Sequence, residues 1–221
     1  MPLLRLLLFL FLLFCISAVF QLEIPSLLTE KEEKSIQHQH QQGLKSQSSN
    51  QQNQDSSLIL QLPTKKIDPL HVKIALSKLG ITEQPIGSNW GKDVEEILAA
   101  VRIYFKAPWC GGFVGDVLME GKAGPNALSG RAKAYAVKGY SYQLSDVLYG
   151  NYTPKSGDVR VKSRKGGGHV DIFVSWDRKK EEGYVIGGNV GDKVAIRKVT
   201  LKSMIADRTT HIVDIKGIYY Y

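Results

Sequence analysis

The feature that most limits what this chain can fold into is a change of hydrophobic period near Pro154. Before it, apolar residues recur at helical spacing: Val72, Leu76 and Leu79 up to Gly80, then Val94, Ile97, Leu98, Val101 and Phe105 on one face of 93–105. A third helix is predicted from Cys110 through Phe113, Val114, Val117 and Leu118 to Gly121. Ser129 is placed to cap a fourth, containing Ala132, Ala134, Ala136 and Val137. After Pro154 the pattern alternates or becomes β-branched, over 158–162, 170–176, 184–186, 194–199 and 212–221, with short Gly- or charge-bearing turns between the runs. Helices first and strands afterwards predict an α+β fold, the helical part lying on one side of an antiparallel meander.

The first 63 residues belong to neither pattern. Met1 to Arg5 carries one positive charge, Leu6 to Phe14 is unbroken Leu and Phe, and Ile16-Ser17-Ala18 offers a cleavage site, so 1–20 is predicted to be a signal peptide. The uncharged run from Leu6 to Leu22 is 17 residues, below the roughly 20 that span a bilayer. Phe14 stands where a lipobox before Cys15 would need a small residue. The 21–63 segment is Gln- and Ser-rich with little to bury, and is predicted to be a disordered linker. His38 and His40 within it read as solvated polar residues. The domain is expected to occupy 64–221, in a protein that is secreted or lies in the periplasm or cell envelope and meets a membrane only through its signal.

Charge sharpens once that region is set apart. The chain carries 29 Lys and Arg against 21 Asp and Glu, a net +8. Residues 1–63 hold four basic side chains (Arg5, Lys31, Lys34, Lys45) and five acidic ones (Glu23, Glu30, Glu32, Glu33, Asp55), so the domain has 25 against 16, an excess of nine. Lys162, Arg164, Lys165 and the run Arg178-Lys179-Lys180 contribute to it. Export argues against a nucleic-acid partner, and anionic wall polymers or lipid head groups fit a basic extracellular surface better.

Only two cysteines exist, and Cys15 falls in the predicted signal. Cys110 would therefore be the single thiol of an exported protein, in a compartment where thiols oxidise readily. Its place after Ala107-Pro108-Trp109 and at a helix start favours a thiolate, because unpaired N–H groups and the helix dipole stabilise negative charge there. Among the domain's histidines, His71 sits on the first helix and His211 near the end, whereas His169 follows Gly166-Gly167-Gly168 at the head of a strand. His169 is therefore the candidate base, and Asn189, at the end of the following strand in Gly187-Gly188-Asn189, the candidate to orient its ring. Gly166 to Gly168 leads into a strand and lacks the Lys-Ser or Lys-Thr of a phosphate loop. No His-Glu-x-x-His or paired cysteines mark a zinc site, so no metal or other cofactor is expected.

Taken in order, Trp109-Cys110-Gly111-Gly112-Phe113-Val114, Gly157-Asp158-Val159, Gly168-His169-Val170 and Gly187-Gly188-Asn189 look like the signature blocks of the CHAP and NlpC/P60 superfamily of cysteine amidases and peptidases. Leu79 to Glu83 with Gly87-Ser88-Asn89 also resembles the leader of secreted or phage-type members. The resemblance spans about 67–199. It implies a papain-like fold, with the Cys helix packed on an antiparallel sheet, and hydrolysis of a peptidoglycan amide bond. The bond would lie within the stem peptide or between muramic acid and L-alanine. By the same resemblance Cys110 is the nucleophile, His169 the base and acid, and Asn189 the orienting group. Trp109, Glu83 and Asn89 are candidates for a substrate cleft, although a loop with Pro85 and Gly87 would contain such residues in any case. Two departures stand out: Asp171 lies where Gly or Ala is common, and Gly187 where many CHAP members carry a carboxylate. Outside hydrolysis, two readings stay open: a wall-binding module that keeps the fold without turnover, against which the presence of Cys110, His169 and Asn189 argues, and an acyltransferase using the same Cys and His on a lipid or protein amide.

Overall fold

The computed structural model describes residues 68–124, 129–137 and 139–215. The predicted signal, the linker and the start of the domain lie outside the described residues. Helix α1 spans Leu70–Ser77 after Pro69, burying His71, Val72 and Ala75. Helix α2 covers Lys92–Ala100, with Asp93 and Glu95 in its first turn, where acidic groups suit the helix dipole. It stops five residues before the expected end at Phe105. Arg102 takes a left-handed φ of 61°, the Arg102 N–H donates to Ala99 O and the Ile103 N–H to Leu98 O at 3.0 Å. Those two bonds satisfy the last carbonyls and terminate the helix, leaving Tyr104 and Phe105 exposed.

Helix α3, Cys110–Glu120, follows the sequence reading closely and buries Cys110 to Gly115, Val117 and Leu118. The fourth expected helix is instead a single 3₁₀ turn over Ala132–Tyr135. Two short helices were not legible: α4, Leu144–Leu148, directly after strand β1, Ser141–Gln143, and α5, Leu201–Ala206. Strands β2 (Val159–Arg164), β3 (Gly167–Asp177), β4 (Glu182–Gly187) and β5 (Ala195–Thr200) form the expected meander, and β6 spans Thr209–Val213. The architecture is α+β, around a six-stranded antiparallel sheet in the order β1-β6-β2-β3-β4-β5.

Both faces of this sheet are covered, which corrects the expectation of helices on one side only. Val159, Val161, Val170, Ile172, Val174 and Ile186 pack with α1–α3 through Val72, Leu98, Trp109, Phe113 and Val117. Phe173, Val185, Val199 and Ile212 form a second cluster with Val147 and Met204 of α4 and α5. Alternate residues of β3 thus feed two cores, so the strand reads as a continuous apolar run with polar insertions at His169 and Asp171.

Candidate functional site

The site begins where α3 starts. Trp109 is fully buried, and its indole Nε1–H donates to Glu83 Oε1 at 2.7 Å, while the other oxygen of Glu83 accepts the Asn89 N–H at 2.7 Å. Glu83 is itself 1% exposed. Both residues therefore brace the 82–91 loop against α3, and neither presents a surface to a substrate, contrary to the cleft-lining role expected of them. Asn89 is half-buried, and its side-chain oxygen accepts the Asn189 Nδ2–H at 2.7 Å.

Cys110 is a free thiol, 6% exposed, at the first residue of α3. Burial pushes its pKa up, against hydrogen bonding from the backbone at Val170 and Gly111. The helix start therefore does not yield a standing thiolate: loss of water outweighs the dipole. The contact with Val170 seats the sulfur against the backbone of β3, where Val170, Ile172 and Val174 meet α3. Helix α3 packs closely enough for this because glycines line the approach. A methyl group on Gly188 would lie 2.5 Å from Phe113 Cβ and 2.6 Å from Trp109 Cζ3, and one on Gly111 would run into the Gly130 carbonyl. The Tyr135 hydroxyl donates to Gly111 O at 2.8 Å. Gly130 to Tyr135 therefore lies across the start of α3, and Ala132 and Lys133 also flank Gly168.

His169 is wholly buried, and neither ring nitrogen makes a hydrogen bond within the described residues. Burial lowers its pKa, opposed by Asp171, while Arg164 and Lys162 push in the same direction as burial. Asp171 Oδ2 lies 3.6 Å from His169 Nε2. Asp171 is clamped in turn by Arg160, whose Nε donates to Oδ1 at 2.8 Å and Nη2 to Oδ2 at 2.6 Å. Burial alone would raise the Asp171 pKa, but Arg160 and His169 hold it well below the usual carboxylate range. Arg197 Nη2 is 3.6 Å from the same oxygen, and Asp207 reaches Arg160 and Lys162 at 3.6 and 3.1 Å.

Cys110 Sγ thus meets the backbone of Val170, one residue along β3 from His169, whose ring lies on the strand face it shares with Asp171 and Gly187, while Asn189 sits in the turn after β4 with φ 55° and its amide engaged by Asn89. The residues missed in the sequence are Asp171 and Arg160. Asp171 is two residues beyond His169, on the same face of one strand, and Arg160 is its direct cross-strand partner; a period of two from the histidine was the available signal. Among the described residues no group of three or more His, Cys, Asp or Glu converges as a metal site, and no helix is long and apolar enough to cross a membrane. No family model matches the sequence, and no match is found among the curated proteins or the solved structures.

Proposed function

We propose that this chain is an exported cysteine-dependent hydrolase of peptidoglycan amide bonds, on a papain-like fold of the CHAP and NlpC/P60 kind. The observation that carries the reading is a single thiol at a helix start, its sulfur seated on the strand residue next to a buried histidine with an unbonded ring.

With the thiol pushed up and the imidazole pushed down, the resting pair is neutral. Proton transfer from Cys110 Sγ to His169 then accompanies attack on the scissile carbonyl, forming the C–S bond. Backbone N–H groups at the start of α3 would receive the oxyanion. The His169 imidazolium returns its proton to the leaving amine as the C–N bond breaks. Water, deprotonated by the same ring, then cleaves the thioester and restores the thiol. The domain's basic excess favours an anionic wall as the setting.

The complete burial of His169 favours one second reading, a wall-binding module without turnover. Purified peptidoglycan incubated with the protein and with Cys110→Ser separates the two, with fragments and new amino termini read by mass spectrometry. Thiol-dependent release that disappears in Cys110→Ser is expected. Co-sedimentation with the wall and no release from either protein would mean a binder.

A further inference from the structure

Across from Asp171, on the neighbouring strand, stands a residue with no side chain. Ile172 pairs with Ile186, which places Gly187 beside Asp171, and a methyl group on Gly187 would lie 3.0 Å from Asp171 Cβ and 3.5 Å from His169 Nε2. The space next to that nitrogen therefore belongs to the carboxylate of Asp171, which is 1% exposed and cannot turn away, because both its oxygens are fixed by Arg160. Asn189 has its amide committed to Asn89, in a bond between two loops.

We propose that Asp171, held by Arg160, is the positioning residue for His169, and that Asn189 instead ties the loop after β4 to the 82–91 loop. The inference rests on the Cys110–His169 reading above. A carboxylate facing Nε2 selects the neutral tautomer with its proton on that nitrogen and leaves the Nδ1 lone pair free for the Cys110 proton. When the ring becomes an imidazolium, the Asp171 charge compensates it in a site with little water. An asparagine could orient the ring but could not offset that charge. The 3.6 Å separation closes to a hydrogen bond as the ring charges.

The charged and titratable groups that face the ring or its Asp171 neighbour are Arg160, Lys162 and Arg164 from β2, Asp171 from β3, Arg197 from β5 and Asp207 after α5, and Cys110 from α3 senses the Asp171 charge. Gly187 on β4 contributes none. Asp171 and Asp207 are the acidic members. Asp171 is the one within 4 Å of the imidazole, so its loss leaves a future imidazolium among cations.

The test reads the rate of Cys110 alkylation by iodoacetamide across pH, followed by peptide mass spectrometry on the full chain, and requires no wall substrate. An opposite charge at this range is worth about one pKa unit or more. Asp171→Asn is therefore expected to slow alkylation at pH 7 by about tenfold or more and to move the profile to higher pH, against the direct effect of the Asp171 charge, which raises the Cys110 pKa so that its removal alone would speed alkylation. Asn189→Ala is expected to leave both unchanged. Arg160→Gln combined with Asp171→Asn replaces the buried ion pair by a neutral one and gives the same loss if the single variant does not fold. Rescue comes from Asp171→Gly with Gly187→Asp, which removes the Cβ at 171 and supplies a carboxylate to the same nitrogen from β4. An unchanged profile in the neutral pair, or a loss in Asn189→Ala, would overturn the assignment. If the alkylation contrast holds and wall release fails, the positioning role stands and the hydrolase reading falls; if release occurs without the contrast, the reverse follows.

Discussion

Glu83 is a carboxylate enclosed by protein with each oxygen bonded, one to an indole and one to a backbone N–H. Its removal strands the buried Trp109 indole donor and the half-buried Asn89 N–H at once, which is costlier than the loss of two exposed hydrogen bonds. Glu83→Ala is expected to lower stability by about 2–4 kcal/mol, measured by urea unfolding. Glu83→Gln keeps an acceptor for Trp109 and should cost less than half of that. Because Trp109 precedes Cys110 directly, the Ala variant should also speed alkylation of the thiol by admitting water. At this scale the sequence was partly legible. The helix start at Cys110 was marked by its neighbours, and the same glycines and tryptophan prove to serve close packing, Trp109 against Glu83 and Gly111 against Gly130. The roles of Glu83, Trp109, Asn189 and Asp171 depend on which side chain faces which across loops and strands, and residue spacing along one chain does not contain that.

Helices α1 and α3 and the meander were legible because each buries a regular stripe, whereas α4 and α5 are too short to show a period. Local chemistry marks them instead. Gln143 with Asp146 and Thr200 with Ser203 form reciprocal caps, the Ser203 N–H donating to Thr200 Oγ1 at 3.0 Å and the Thr200 N–H to Ser203 Oγ at 2.8 Å. Thr200→Ala is expected to cost about 1 kcal/mol in chemical denaturation. It should also loosen Asp207, which follows α5 and reaches Lys162 at 3.1 Å, so protease cleavage near Asp207 should rise. The 3₁₀ turn at Ala132–Tyr135 replaces a full helix because the Tyr135 hydroxyl is drawn to Gly111 and Ala132 against Gly168. Tertiary contact there overrode an Ala-rich local preference.

For the molecule as a whole, acid and base stability turn on two aspartates of opposite character. Asp158 is buried, with Oδ2 accepting from the Tyr152 hydroxyl at 2.7 Å and the Lys155 N–H at 2.8 Å. Burial pushes its pKa up to about 7, with Asp214 adding to the rise. The folded chain therefore holds this proton more tightly than the unfolded one, so the stability it contributes is complete below about pH 4 and is lost as pH rises through about 7. Asp171 is shifted downward, and its contribution fails only in strong acid, outside that window. Unfolding free energies from pH 4 to 8 are expected to fall more steeply for the parent than for Asp158→Asn; parallel curves would contradict the assignment.

The place of β6 has a consequence in time. It is the last strand among the described residues, yet it lies between β1 and β2, bonded to both. Until Thr209–Val213 has left the ribosome, β1 has no strand partner and one edge of β2 is open. The meander β2 to β5 can assemble during synthesis, but closure of the sheet waits until Thr209–Val213 has been made. For that interval a nascent chain presents two unpaired edges with one strand-wide gap between them, a gap that a β6 from a neighbouring nascent chain fits equally well.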